Sequence, residues 1–174
     1  FAGNDVRRLL IYRFGQIGDT IAALPSLWLL RRNFKSARFA LLSEIPRQEN
    51  QLPPEQVLPA EGLVQRFMKY HGGSSPARLL ALAKVLLSLR RERFDAVAYL
   101  VPRIRRVKQR QRDARFFRLA GIKQCLGFDG FPDNACPRSA DGSLIPVTNE
   151  ADALLQRLAL SGLPAVAPGC GCTD

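Results

Sequence analysis

The sequence predicts an α/β domain: one parallel sheet joined by right-handed crossovers and covered by helices on both faces. Two observations carry this. Short apolar runs alternate with longer stretches of helical period four or five times along the chain. A length of 174 residues with 47% hydrophobic content suits one well-buried core and is too short for two domains of ordinary size. No internal repeat competes with this reading.

The elements follow in order. Arg8 to Phe14 reads as a buried first strand, and Asp19 to Arg32 as a helix covered by Ile21, Leu24, Leu27, Trp28 and Leu30, with Trp28 in the core. Pro25 kinks that helix or ends its first turn, because proline lacks the N–H and crowds the preceding turn. Ala37 to Leu42 forms a second strand, Ser43 to Pro59 an irregular excursion, and Leu63 to Tyr70 a third strand ending in a turn at His71 to Ser75. Ser75 and Pro76 open a helix to about Arg93 that turns Leu79, Leu82, Ala83, Leu86 and Leu89 inward. Asp95 to Val101 is a strand. Arg103 to Ala120 is a helix stopped by Gly121, with Ile104, Val107, Ala114 and Phe117 toward the core. Lys123 to Gly127 is a short strand, 128–147 a loop, and Asn149 caps a final helix that ends at Ser161 before Gly162 and Pro164. Residues 1–164 form the domain, and 165–174 read as a tail or the start of an interdomain linker.

Lys and Arg number 26 against 15 acids, a net charge of +11 and a pI near 10.4, which favours polyanionic partners. No apolar stretch reaches the roughly 18 residues of a membrane-spanning helix. Cys125, Cys136, Cys170 and Cys172 contain no C-x-x-C pair and His71 is the one imidazole, so no metal site is expected and the cysteines read as free thiols.

The segment following the first strand is the site candidate. Gly15-Gln16-Ile17-Gly18-Asp19 is a strand-to-helix loop that puts a carboxylate at a sheet's C-terminal edge, where ligands bind in open α/β sheets. It lacks the third glycine of a dinucleotide fingerprint and the Gly-Lys-Ser/Thr of a P-loop. Asp19 has two readings: a helix N-cap, for which aspartate is well suited, and a chemical group. A second feature is the cationic run Arg103, Arg105, Arg106, Lys108, Arg110, Arg112, Arg115 and Arg118, with Asp113 its lone acid. Stacked like charges repel, so the run reads either as a solvated face or as a seat for phosphate, which guanidinium groups bind bidentately.

Leu10 to Arg32 resembles the opening of the ADP-heptose:lipopolysaccharide heptosyltransferases, glycosyltransferase family 9: a strand, a small-residue loop ending in Gly-Asp, then Leu-x-x-Pro and a helix closing in basic residues, with Gly18, Asp19, Leu24, Pro25 and the Arg31-Arg32 pair as the matching residues. Phe94 to Tyr99, Leu126 to Phe128 and Asn149-Glu150 match in order and spacing, although Asn149 stands where the family usually has histidine and 43–62 matches nothing. The resemblance implies a Rossmann-like, acceptor-binding N-terminal lobe of a GT-B enzyme, its C-terminal donor-binding lobe absent from this chain. It implies inverting transfer from ADP-heptose without a cofactor, with Asp19 as general base and Gly15, Gln16 and Gly18 near donor or acceptor. Arg103, Arg105 and Arg106 would contact a phosphorylated glycolipid, lipid A with Kdo. The expected location is cytoplasmic, peripheral at the anionic inner face of the inner membrane, with no nucleic acid bound and the lone lobe inactive. Two other readings compete: a basic α/β module binding nucleic acid, which lacks aromatics interleaved with the arginines, and a nucleotide-binding enzyme, which lacks the ribose-binding acid.

Overall fold

A computed structural model describes residues 6–15, 17–45, 56, 58, 62–70, 77–132, 134–135, 137–141 and 143–164. The elements are β1 (Arg8–Arg13), α1 (Ile17–Ala22), α2 (Leu24–Asn33), β2 (Arg38–Glu44), β3 (Arg66–Tyr70), α3 (Ala77–Glu92), β4 (Ala96–Tyr99), α4 (Val107–Leu119), β5 (Gln124–Leu126) and α5 (Glu150–Leu160). The strands form one parallel sheet in the order β3-β2-β1-β4-β5. In the central pairings Leu9 lies between Phe39 and Ala96, and Ile11 between Leu41 and Ala98. The chain steps outward from β1 to β3, then returns to place β4 on the other side of β1. The reversal opens a crevice beyond the C-terminal ends of β1 and β4, the topological switch point of a doubly wound sheet.

Alternate strand residues feed two cores. Leu9, Ile11, Phe39, Leu41, Ala96 and Ala98 pack against Leu27 and Leu30 of α2 and Leu154 and Leu158 of α5. Leu10, Tyr12, Ala40, Leu42, Val97 and Tyr99 pack against Leu89 of α3 and Phe117 of α4. Burial on both faces is why these strands read as continuous apolar runs rather than as alternations.

Helix ends are where local chemistry is plainest. Asn149 accepts a hydrogen bond from the Asp152 N–H at 2.8 Å, capping α5 as predicted. Gly121 takes φ +88° after α4, and the N–H of Ile122 donates to the Phe117 carbonyl at 3.1 Å, closing the helix as its sequence position implied.

The structure departs from the sequence reading in several places. The predicted helix from Asp19 starts earlier, at Ile17, and breaks at Ala23, with Pro25 in the first turn of α2. Asp19 is therefore the third residue of α1 and not its N-cap. Ser43 and Glu44, assigned to the excursion, extend β2. The helix predicted from Arg103 begins at Val107, because Pro102 to Arg105 makes a turn in which the Arg105 N–H donates to the Pro102 carbonyl at 3.3 Å. Ile104, Val107, Leu79 and Trp28, expected inside, are exposed. Cys125 is a free, half-buried thiol whose pKa burial pushes up. The His71 turn, the other three cysteines and the 165–174 tail lie outside the described residues.

Candidate active site at the sheet switch point

Three segments meet at the crevice: the β1–α1 connection, the residues after β4, and the start of α5. Arg13, the last residue of β1, is buried at 2% exposure. Its Nε donates to Thr20 Oγ1 at 3.3 Å and its Nη1 to the Leu100 carbonyl at 3.1 Å, so one side chain ties β1, α1 and the end of β4 together. Burial pushes its pKa down to about 10, opposed by the negative charges of Asp19 and Glu150. Its Nη2 is buried without a hydrogen-bond partner, an unmet donor at the crevice.

Asp19 is half-buried in the first turn of α1, where acidic residues are electrostatically favoured. Its carboxylate folds back over Gly15. Gly15 holds φ +123°, and a Cβ there would collide with Asp19 Oδ2 and crowd its Cγ at 3.0 Å. The glycine is thus required twice, for its backbone conformation and for the place the carboxylate occupies. Gly18 differs: a Cβ there would meet nothing within 4 Å, so packing does not demand a glycine. Gln16 lies outside the described residues.

Glu150, the first residue of α5, gathers the remaining cations. It accepts from the Arg103 N–H at 3.2 Å and from Arg103 Nε at 3.0 Å, and Arg157 Nη2 stands 3.7 Å away. Arg103 also donates to the Thr148 carbonyl. Arg157 is 2% exposed, donates from Nη2 to the Val101 carbonyl at 2.7 Å, and lies 4.0 Å over the Phe131 ring. Burial pushes its pKa down to about 10; Glu150 works to raise it, and Arg103 and Arg110 add to the lowering. A cavity of about 430 Å³ opens beside this cluster, lined by Arg103, Phe131, Thr148 and Arg157.

The three predicted arginines part company. Arg103 sits at the crevice on Glu150. Arg105 turns to the α3/α4 side, where its Nη2 and Nε donate to Asp113 Oδ2 at 2.7 and 3.1 Å and its guanidinium lies 4.6 Å over Phe14. Burial works against its charge, but the bonds and attraction to Asp113 outweigh it and hold its pKa above the ordinary value. Arg106 is the exposed member, at the N-terminal boundary of α4. Asp113, read in the sequence as a lone acid on a basic helix, is a buried hub that also accepts from Tyr99 Oη at 2.7 Å.

Arg13 and Arg157 were missed by sequence reasoning, although signals existed. Arg13 ends an uninterrupted apolar run at the strand edge nearest the loop, and Arg157 shares the inward stripe of Leu154 and Leu158. Chemically, Glu150 and Asp113 anchor arginines, and Asp19 is a crevice carboxylate near the buried charge of Arg13, in a place that only a glycine at position 15 leaves open. Among the described residues, no three His, Cys, Asp or Glu side chains gather as metal ligands.

Fold and site together define a class: a Rossmann-like lobe, doubly wound, with polar side chains from β1–α1, the β4 exit and α5 converging on its switch point. The solved glycosyl transferase family 9 protein from Veillonella parvula DSM 2008 is similar to it, with a TM-score of 0.57 over 91% of this chain and 14% sequence identity. At that identity the likeness is one of fold, and this chain spans 42% of the length of that protein. No protein-family model matches the chain, and no curated protein matches it by sequence.

Proposed function

We propose that the chain is the acceptor-side, N-terminal lobe of an inverting glycosyltransferase that moves heptose from ADP-heptose to a phosphorylated glycolipid, lipid A bearing Kdo, and that it works with a second, donor-binding lobe at the cytoplasmic face of an anionic inner membrane. The observation that carries the reading is the Asp19 carboxylate, folded over Gly15 at the switch point of a sheet whose fold a family 9 glycosyl transferase shares.

In this reading an acceptor hydroxyl binds beside Asp19. Its oxygen attacks the anomeric carbon of the donor from the face opposite the nucleotide, the bond from that carbon to the diphosphate oxygen breaks, and the hydroxyl proton passes to the Asp19 carboxylate. ADP leaves with the bonding electron pair, and the anomeric configuration inverts. A positioned base of this kind contributes about 10² to 10⁴-fold to the rate. No cofactor is called upon. Arg13 holds the β1–α1 connection, and so the carboxylate, against the exit of β4. Arg103 lines the adjoining cavity and Arg106 is exposed, which supports both as contacts for acceptor phosphate or carboxylate groups. Arg105 supports the same face indirectly by fixing α4 to β4 through Asp113 and Tyr99.

The test uses the two-lobe protein with ADP-heptose and Kdo-bearing lipid A. The reading expects transfer with inverted anomeric configuration, observed by NMR of the product. Turnover with retained configuration, or no transfer from any nucleotide sugar, refutes it.

A further inference from the structure

We propose that the outer surface of the α3/α4 layer is a docking surface for a lipid bilayer carrying anionic headgroups. Leu79, Ala83 and Leu87 recur every four residues along α3 with Leu80 beside them, and Leu79, Leu80 and Leu87 are 74%, 62% and 53% exposed. Lys84, Arg90 and Arg91 flank this stripe and are exposed as well. The neighbouring α4 presents Lys108, Arg112, Arg115 and Arg118 outward together with Leu119, which is 60% exposed. Arg90 Nε donates to the Leu119 carbonyl at 2.9 Å, joining the C-terminal ends of the two helices.

Within α3 and α4 the acids are few, and among the described residues Arg112 alone of these cations reaches one, its Nη2 lying 3.2 Å from Asp113 Oδ1. The one acid of α3, Glu92, is paired with Arg66, and the one acid of α4, Asp113, is buried under Arg105. A water-soluble fold gains nothing by leaving four leucines in solvent within a ring of cations. A nucleic acid would use the cations and leave the leucines wet. An anionic bilayer accepts both, leucines entering the acyl boundary while Lys and Arg meet the headgroups. α2 and α5 cover the opposite face of the sheet, so docking by α3 and α4 leaves Trp28 of α2 in water.

The experiment is co-sedimentation of the full chain with phosphatidylcholine vesicles, with and without phosphatidylglycerol. The proposal rests on the membrane location proposed above and names the surface that would meet it; the experiment needs no donor or acceptor, so a failure of docking and a failure of sugar transfer are read separately. Binding is expected on the anionic vesicles only. Changing Leu79, Leu80 and Leu87 together to Gln is expected to weaken partitioning about tenfold or more for each leucine that enters the acyl boundary. Changing Lys84 and Arg91 to Ala is expected to weaken it about fivefold per charge. Far-UV circular dichroism melting checks that both variants fold, and either one suffices. Trp28 emission is expected to stay unshifted on binding. Equal partitioning of wild type and both folded variants, a blue shift of Trp28, or binding to an oligonucleotide without binding to anionic vesicles would each overturn the proposal.

Discussion

Replacing Asp113 with alanine is the sharpest test of how the basic helix α4 is held. The carboxylate takes the Tyr99 hydroxyl at 2.7 Å and two donors of Arg105 at 2.7 and 3.1 Å. Arg112 also contacts it, but its side chain is 56% exposed and contributes little. Without the carboxylate, Tyr99 Oη is left buried without its acceptor, which costs about 1 to 3 kcal/mol. Arg105, its side chain 15% exposed, loses its counterion, and stranding a fully buried partner costs about 3 to 5 kcal/mol. Partial solvent access relieves some of that, so the expected loss is about 3 kcal/mol in all. For a chain of this size the loss lowers Tm by about 6 to 12 °C. Urea unfolding of the wild type, Asp113→Ala, Arg105→Met and the Asp113→Leu/Arg105→Met double variant measures it. The double variant is expected to be more stable than Asp113→Ala, because it removes both charges at once. A loss under about 1 kcal/mol for Asp113→Ala, the range of an exposed pair, refutes the hub.

Three further outcomes follow from the same geometry. Gly15→Ala is expected to cost about 2 kcal/mol of stability through its positive φ and to lower transfer activity beyond that by displacing Asp19; unchanged melting and turnover contradict it. Tyr12 is buried and its hydroxyl lies 2.9 Å from that of Tyr70; burial holds its pKa above the unfolded 10.0. The contribution of that raised pKa is present below pH 10.0 and lost above it as the unfolded phenol ionises, so wild type should lose about 1.4 kcal/mol more stability per pH unit than Tyr12→Phe in alkaline melts. Arg106→Ala is expected to weaken acceptor binding several-fold at low salt with little change in melting, as measured by titration at two ionic strengths; a salt-independent affinity equal to wild type contradicts it.

Much of the fold was legible because it follows from local rules. The alternation of apolar runs and helical stretches gives a doubly wound sheet, and Asn149, Gly121 and Pro25 mark helix ends by their own chemistry. What was illegible depended on partners distant in the chain. Asp95 reads as the first residue of a strand, yet its Oδ2 accepts the N–H groups of Arg7 and Arg8 at 2.8 Å each, across 88 and 87 positions. Arg13, Arg157 and Arg105 carry the same letter as the exposed Arg106, in a chain with 26 cations, and only the fold decides which are buried. The polar end of β2 was lost for a related reason. Ser43 is buried at the sheet's C-terminal edge, where strands carry polar residues toward the crevice and so look like loop. The motif singles out Asp19 as a candidate, whereas its relation to Gly15 and Arg13 required the structure.

The most direct test of the central claim is a single-turnover comparison of wild type and Asp19→Asn in the two-lobe protein, with acceptor affinity measured separately. The account predicts that the transfer rate falls by about 10² to 10⁴-fold while acceptor affinity and melting temperature stay near wild type. A rate within a few-fold of wild type in a folded Asp19→Asn protein would contradict it.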